Sequence, residues 1–209
     1  NFFQFYYYII KMVLSKKKVK EKIKVKKNRK IKRRKKRKKI KTKHYDNLNN
    51  GLKLYIRNTN NENNVCILFL VKTGGINEGK YYGLSHLLEH ILLSGTRTFE
   101  TSSLFNRELE SVGTKVNGFT TKECTAYHFT CYPSKISKCI SILSEVIKDS
   151  VLDSYKIENE KKVVLNEKFV REDKLYVYYF RKSKQHIFKN TIYENLVIGD
   201  KNSLDLITK

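Results

Sequence analysis

Gly83-Leu84-Ser85-His86-Leu87-Leu88-Glu89-His90-Ile91-Leu92-Leu93-Ser94-Gly95-Thr96 sets the reading of the whole chain. Apart from its His and Glu residues the run Leu84 to Leu93 is apolar on nearly all sides, which predicts a buried helix. Residues four apart share a helix face, so the imidazoles of His86 and His90 can reach one ion, with Glu89 beside them. Zinc takes nitrogen ligands at tetrahedral positions, and a catalytic zinc keeps one position free of protein. Two histidines therefore need a third ligand from elsewhere, which leaves Glu89 free to accept a proton from water. The bland alternative is a pair of core histidines bridged by a buried carboxylate.

Residues downstream speak to that choice. A helix capped by Asp153 or Ser154 and running to about Glu172 carries Glu158, Glu160, Glu167 and Glu172. Glu160 and Glu167 are two turns apart and share a face, with Val163 and Val164 close by. A carboxylate on the buried side of a helix is costly unless it is paired or bound to metal. Glu158 and Glu172 suit an ordinary solvated face; Glu167, directly after Val163-Val164-Leu165-Asn166, suits it less well.

Around these two helices the pattern is mixed. Asn49-Asn50-Gly51, between Tyr45-Leu48 and Leu52-Leu54-Ile56, predicts a hairpin, and Asn58 to Asn64 a polar loop. Val65 to Lys72 reads as a buried strand. A helix is expected from Ser102 or Ser103 to Val112, then strands over Val116–Thr121 and Cys124–Tyr132. Ser134 is expected to cap a helix through Asp149, with Ile136, Ile140, Leu143 and Ile147 on its buried stripe. Residues 175–209 read as weaker helix. This order predicts an α+β fold, a mostly antiparallel sheet with helices packed on one face.

Charge separates a tail from this domain. Residues 11–43 hold 21 of the 44 Lys and Arg and a single acid, Glu21, while the remaining chain has 23 basic and 19 acidic residues. Two domains are expected: a basic, disordered tail over 1–43 and a folded domain over 44–209. The Lys/Arg run 15–43 reads either as a solvated tail with no partner or as a nucleic-acid or anionic-membrane patch, or a nuclear or organellar address. The apolar residues 1–10 are too short to span a bilayer and lack secretory-signal flanks. Met12 is the sole methionine, so translated sequence upstream of the natural start is expected there. Cys66, Cys124, Cys131 and Cys139 have no CxxC or framework spacing and read as buried reduced thiols of an intracellular protein, its compartment open. His44, His128 and His186 have no ligand spacing.

HxxEH is the inverted zincin motif, and its surroundings resemble the zinc-binding domain of the pitrilysin/insulinase peptidases. The family segment reads approximately G-L-A-H-F-L-E-H-M-L-F-x-G-T, against Gly83 to Thr96 here. Its third ligand is a Glu about 75 residues after the second His; 76 residues separate His90 from Glu167, within Val163-Val164-Leu165-Asn166-Glu167, which resembles V-V-L-x-E. Asn117-Gly118-Phe119-Thr120 onward to Tyr127 resembles the family's N-A-x-T-x-x-E-x-T-x-Y strand pair.

The resemblance implies a zinc endopeptidase acting on peptides or unfolded protein segments. His86, His90 and Glu167 would bind Zn2+, Glu89 would be the catalytic base, and Glu160 would stand behind a ligand. Asn117 and Gly118 would lie on the strand that receives substrate as an added strand. Gly118 stands where the family usually has Ala, which is expected to loosen that strand slightly. The family's active form has two homologous halves, so a second half or a partner subunit is expected, and the chain is expected to be a piece of a longer protein. A catalytically silent structural subunit is the rival; such members typically lose ligand residues, whereas His86, Glu89, His90 and Glu167 are all present.

Overall fold

The computed structural model describes residues 42–45 by backbone alone, and 48–57, 63–114 and 116–209 with side chains. The basic run before Thr42 with its anionic partner, the start at Met12 and most of the loop after Arg57 lie outside the described residues.

Two units divide at Thr59 and Asn60. In the first, strand β1 (Thr42–Tyr45) runs antiparallel to β2 (Leu54–Arg57), with Tyr45 opposite Leu54. The turn closes where the Gly51 amide donates to the Leu48 carbonyl (2.7 Å) and the Leu48 amide donates to that of Leu52 (2.8 Å).

The second unit is built on an antiparallel sheet of order β3-β5-β4, from β3 (Val65–Val71), β4 (Val116–Thr120) and β5 (Thr125–Cys131). Side chains alternate across it. Val65, Ile67, Phe69 and Val71 join Tyr127, Phe129, Cys131 and Val116 on the face that meets the helices α1 (Leu84–Leu93), α2 (Ser102–Ser111) and α3 (Ile136–Lys148). Phe105 and Leu109 of α2 and Cys139, Ile142 and Val146 of α3 complete that core. A second core holds Leu87 and Ile91 of α1, Ile157 and Val164 of α4 (Ser154–Glu172), and Leu204 and Ile207. Helix α1 thus packs into both. Helices α5 (Leu175–Ile187) and α6 (Lys201–Asp205) complete the order. Among the described residues no helix is long and apolar enough to cross a membrane.

Several expectations shift in detail. Strand β3 is covered on one face only, since the helices pack on the other side of the sheet; Leu68 (50% exposed), Leu70 and Cys66 point to the open face, as Thr130 of the central strand β5 does. Cys66 is therefore an exposed thiol; Cys124, Cys131 and Cys139 are buried and free. Ser134 sits inside a short 3-10 turn, Pro133–Lys135, because Pro fixes the first residue of that turn, and Lys135 takes the cap position of α3. The buried stripe of α3 is Cys139, Ile142, Leu143 and Val146, while Ile140 is exposed; apolar residues flank both edges of the stripe, and packing against β5 selects one. Leu84 and Leu88 of α1 and Val163 of α4 also face outward.

Candidate active site

Helix α1 starts without a capping side chain of its own. Glu78 reaches back from the preceding loop instead: Oε2 accepts from the Gly83 amide (2.9 Å) and Oε1 from the Ser85 amide (2.6 Å), with the carboxylate buried. An anion on exposed helix N–H groups is favourable because the helix dipole is positive there. Gly83 holds φ 94° against Gly199, where a Cβ would lie 2.9 Å from the Gly199 Cα, and Ser203 Oγ donates to the Tyr82 carbonyl (2.7 Å). The start of α1 is pinned from two sides. Asp153 Oδ1 fixes the start of α4 by accepting from the Lys156 amide (2.7 Å).

Those anchors bring three side chains together. Glu167 Oε2 lies 3.2 Å from His90 Nε2 and 3.6 Å from His86 Nε2, and one donor atom from each residue falls within 4.8 Å of the other two. Among the described residues no other group of His, Cys, Asp or Glu is so placed. Glu160 Oε2 stands 3.7 Å from His90 Nδ1, on the far side of that ring. The donor set suits zinc: two imidazole nitrogens and a carboxylate oxygen converge, with Glu89 and Glu160 alongside as further negative charge. His86 Nδ1 is buried without a hydrogen-bond partner.

Electrostatics separate the two imidazoles. Burial, followed by the neighbouring His90, pushes His86 down to about 4, which leaves it neutral with a lone pair to give. The Glu160 carboxylate beside His90 outweighs burial and raises that imidazole.

Glu89 is on the same turn and is buried. Burial raises its carboxyl, opposed by the hydrogen bond in which Thr120 Oγ1 donates to Oε2 (2.6 Å). Gly118 lies against it: a Cβ there would fall 2.6 Å from Glu89 Oε1 and 2.8 Å from Cγ. The glycine's effect is thus on the seat of Glu89, not only on strand β4. Asn117 is exposed, and its Oδ1 accepts from the Gly118 amide (2.9 Å). Asn117, Gly118, Phe119 and Thr120 line one wall of a cleft of about 650 Å³, and Glu160, Glu167 and Arg171 another. Strand β4 is the sheet edge on this side.

All the expected site residues thus meet in one cleft. Sequence reasoning passed over Thr120, Glu78, Arg171 and the wall formed by Val197 and Ile198. Thr120 did stand inside the N-A-x-T pattern, and Glu78 inside a Gly-rich approach to α1; the others carried no signal. His128 is half-buried on the sheet's outer face and His186 is exposed on α5.

A family model described as Insulinase (Peptidase family M16) matches residues 53–201. The chain belongs to that family. It is 32% identical over 130 residues to the mitochondrial-processing peptidase subunit beta of Saccharomyces cerevisiae, covering 62% of this chain and 28% of that one. It is 25% identical over 163 residues to an uncharacterized zinc protease of Rickettsia bellii, covering 78% and 39%. The crystal structure of a protease from Helicobacter pylori superimposes with a TM-score of 0.71 at 22% identity, covering 81% of this chain and 41% of that one, a likeness of fold. The chain therefore spans less than half the length of each of these proteins.

Proposed function

We propose that this chain is the zinc-bearing part of an insulinase-family endopeptidase that hydrolyses peptides or unfolded protein segments. The observation that carries this reading is the convergence of His86, His90 and Glu167 within 4.8 Å, beside a buried Glu89. His86, His90 and Glu167 would hold the ion, and Glu160 would orient His90 from behind its ring. When bound, zinc lowers the pKa of a water toward ~7 and polarises a carbonyl.

The chain's own residues do the rest. Glu89 accepts a proton from the attacking water at a carboxylate oxygen and passes it to the leaving amine. Burial supports that work, because a carboxyl raised above its ordinary range is a stronger base. Thr120 keeps the carboxylate from turning away. The open edge of β4, carrying Asn117 and Gly118, offers main-chain groups to an extended substrate. A second homologous half or a partner subunit would close the cleft over that substrate.

The test is bound zinc per chain, measured by elemental analysis on the folded protein with His90→Ala alongside. One equivalent, lost in the variant, is expected; a folded protein without zinc would turn the reading toward a silent structural subunit.

A further inference from the structure

The two oxygens of Glu167 have different neighbours. Oε2 faces both imidazoles, at 3.2 and 3.6 Å, whereas Oε1 meets Arg171 Nη2, one helical turn further along α4. Arg171 also lines the cleft. A guanidinium donates in a fixed planar fork, so an oxygen held by it is turned away from any cation on the other side. The distinction matters because a carboxylate can bind a metal through one oxygen or two, and a second oxygen would raise the ion from four-coordinate to five-coordinate and crowd the position that a catalytic zinc keeps clear of protein.

We propose that Arg171 is a positioning residue that restricts Glu167 to one-oxygen binding of the metal and so keeps one position on the ion free of protein. This rests on zinc binding by His86, His90 and Glu167. Arg171 does so against affinity, since it withholds one oxygen and adds a positive charge beside the site. A residue that merely braced α4 would have the opposite signature, because its loss would weaken metal binding.

The experiment loads the full chain and its Arg171→Met variant with Co2+ and records the visible d–d absorption, which is more intense for four-coordinate than for five-coordinate ions. Zinc affinity is measured in parallel by chelator competition. In Arg171→Met the absorption is expected to fall toward the five-coordinate form, with zinc held as tightly or up to about fivefold more tightly, the scale of one exposed ion pair. Arg171→Ala, which likewise lacks a donor, carries the same expectation should the first variant misfold. An unchanged spectrum, or weaker zinc binding whatever the spectrum, overturns the proposal and leaves the metallopeptidase reading standing. Failure of the unaltered chain to bind either ion overturns both.

Discussion

Thr120 Oγ1 donates a 2.6 Å hydrogen bond to Glu89 Oε2, tying strand β4 to helix α1 across the floor of the cleft. Thr120→Val keeps the shape of the side chain and removes the donor, leaving a buried carboxylate oxygen without it. The expected loss is about 1–3 kcal/mol of stability, read by chemical denaturation, with Thr120→Ser restoring most of it. Equal stability of Val and Thr would mean the carboxylate finds another donor.

Glu89 and Glu167 separate by what their loss does to metal. Glu89→Gln is expected to retain zinc while lowering peptide cleavage by the complete protein by about 10²–10⁴-fold, the scale of general-base catalysis. Glu167→Gln removes the anionic donor, so zinc affinity is expected to fall by more than the roughly 10–100-fold that loss of an outer partner brings. Metal content and cleavage measured on both variants decide it; loss of zinc from the Glu89 variant would move that residue into the ligand set.

Gly118→Ala tests how firmly Glu89 is seated. The atoms a Cβ would meet, Oε1, Cγ and Cδ, belong to one flexible side chain rather than to backbone. Glu89 is therefore expected to shift at the expense of its bond to Thr120, a loss of about 1–3 kcal/mol, with zinc retained. Thermal unfolding checks the magnitude, and an unchanged stability would mean that the carboxylate keeps that bond or finds another donor.

Glu145 gives the fold a dependence on acid. Burial pushes its carboxyl up, but the hydrogen bonds from the Thr96 hydroxyl (2.5 Å) and the Thr98 amide (3.3 Å) prevail and lower it below the ordinary 4.5. A carboxyl whose folded value is depressed stabilises above its unfolded value, and that contribution disappears as pH falls through the folded one. Glu145→Gln should thus lose about 1 kcal/mol near neutrality, with the difference from the unaltered chain vanishing as pH falls through the depressed folded value. A gap that persists unchanged in acid would show that packing, not charge, is responsible.

Much of this was legible in the sequence because it is local. The face shared by His86, Glu89 and His90 follows from helical periodicity alone, and Asp153 announces the start of α4 by its type and place. What escaped depends on contacts across the fold. The Thr120 bond requires β4 to lie against α1 in one register, and Glu78 becomes a cap only when its loop folds back on the helix. Periodicity also could not choose between Ile140 and Cys139, since α3 is apolar on both edges of its stripe. The continuous run Val65–Val71 resembled a strand covered on both faces because its apolar residues at Cys66, Leu68 and Leu70 do not record that no layer packs on that side of the sheet.

The close approach of Gly83 and Gly199 bears on how such a site comes into being. A chain leaves the ribosome from its N-terminal end, so the metal-side helix emerges long before the segment that fastens its first turn. Both histidines have left the ribosome while Glu167 and then Gly199 are still to come. The proposed ligands His86, His90 and Glu167 would therefore all be synthesised before their positions are fixed in space, and metal capture is expected to follow release of residue 199 rather than precede it. Arrested nascent chains ending on either side of Gly199, compared for zinc retention, would reveal whether loading waits for that last contact.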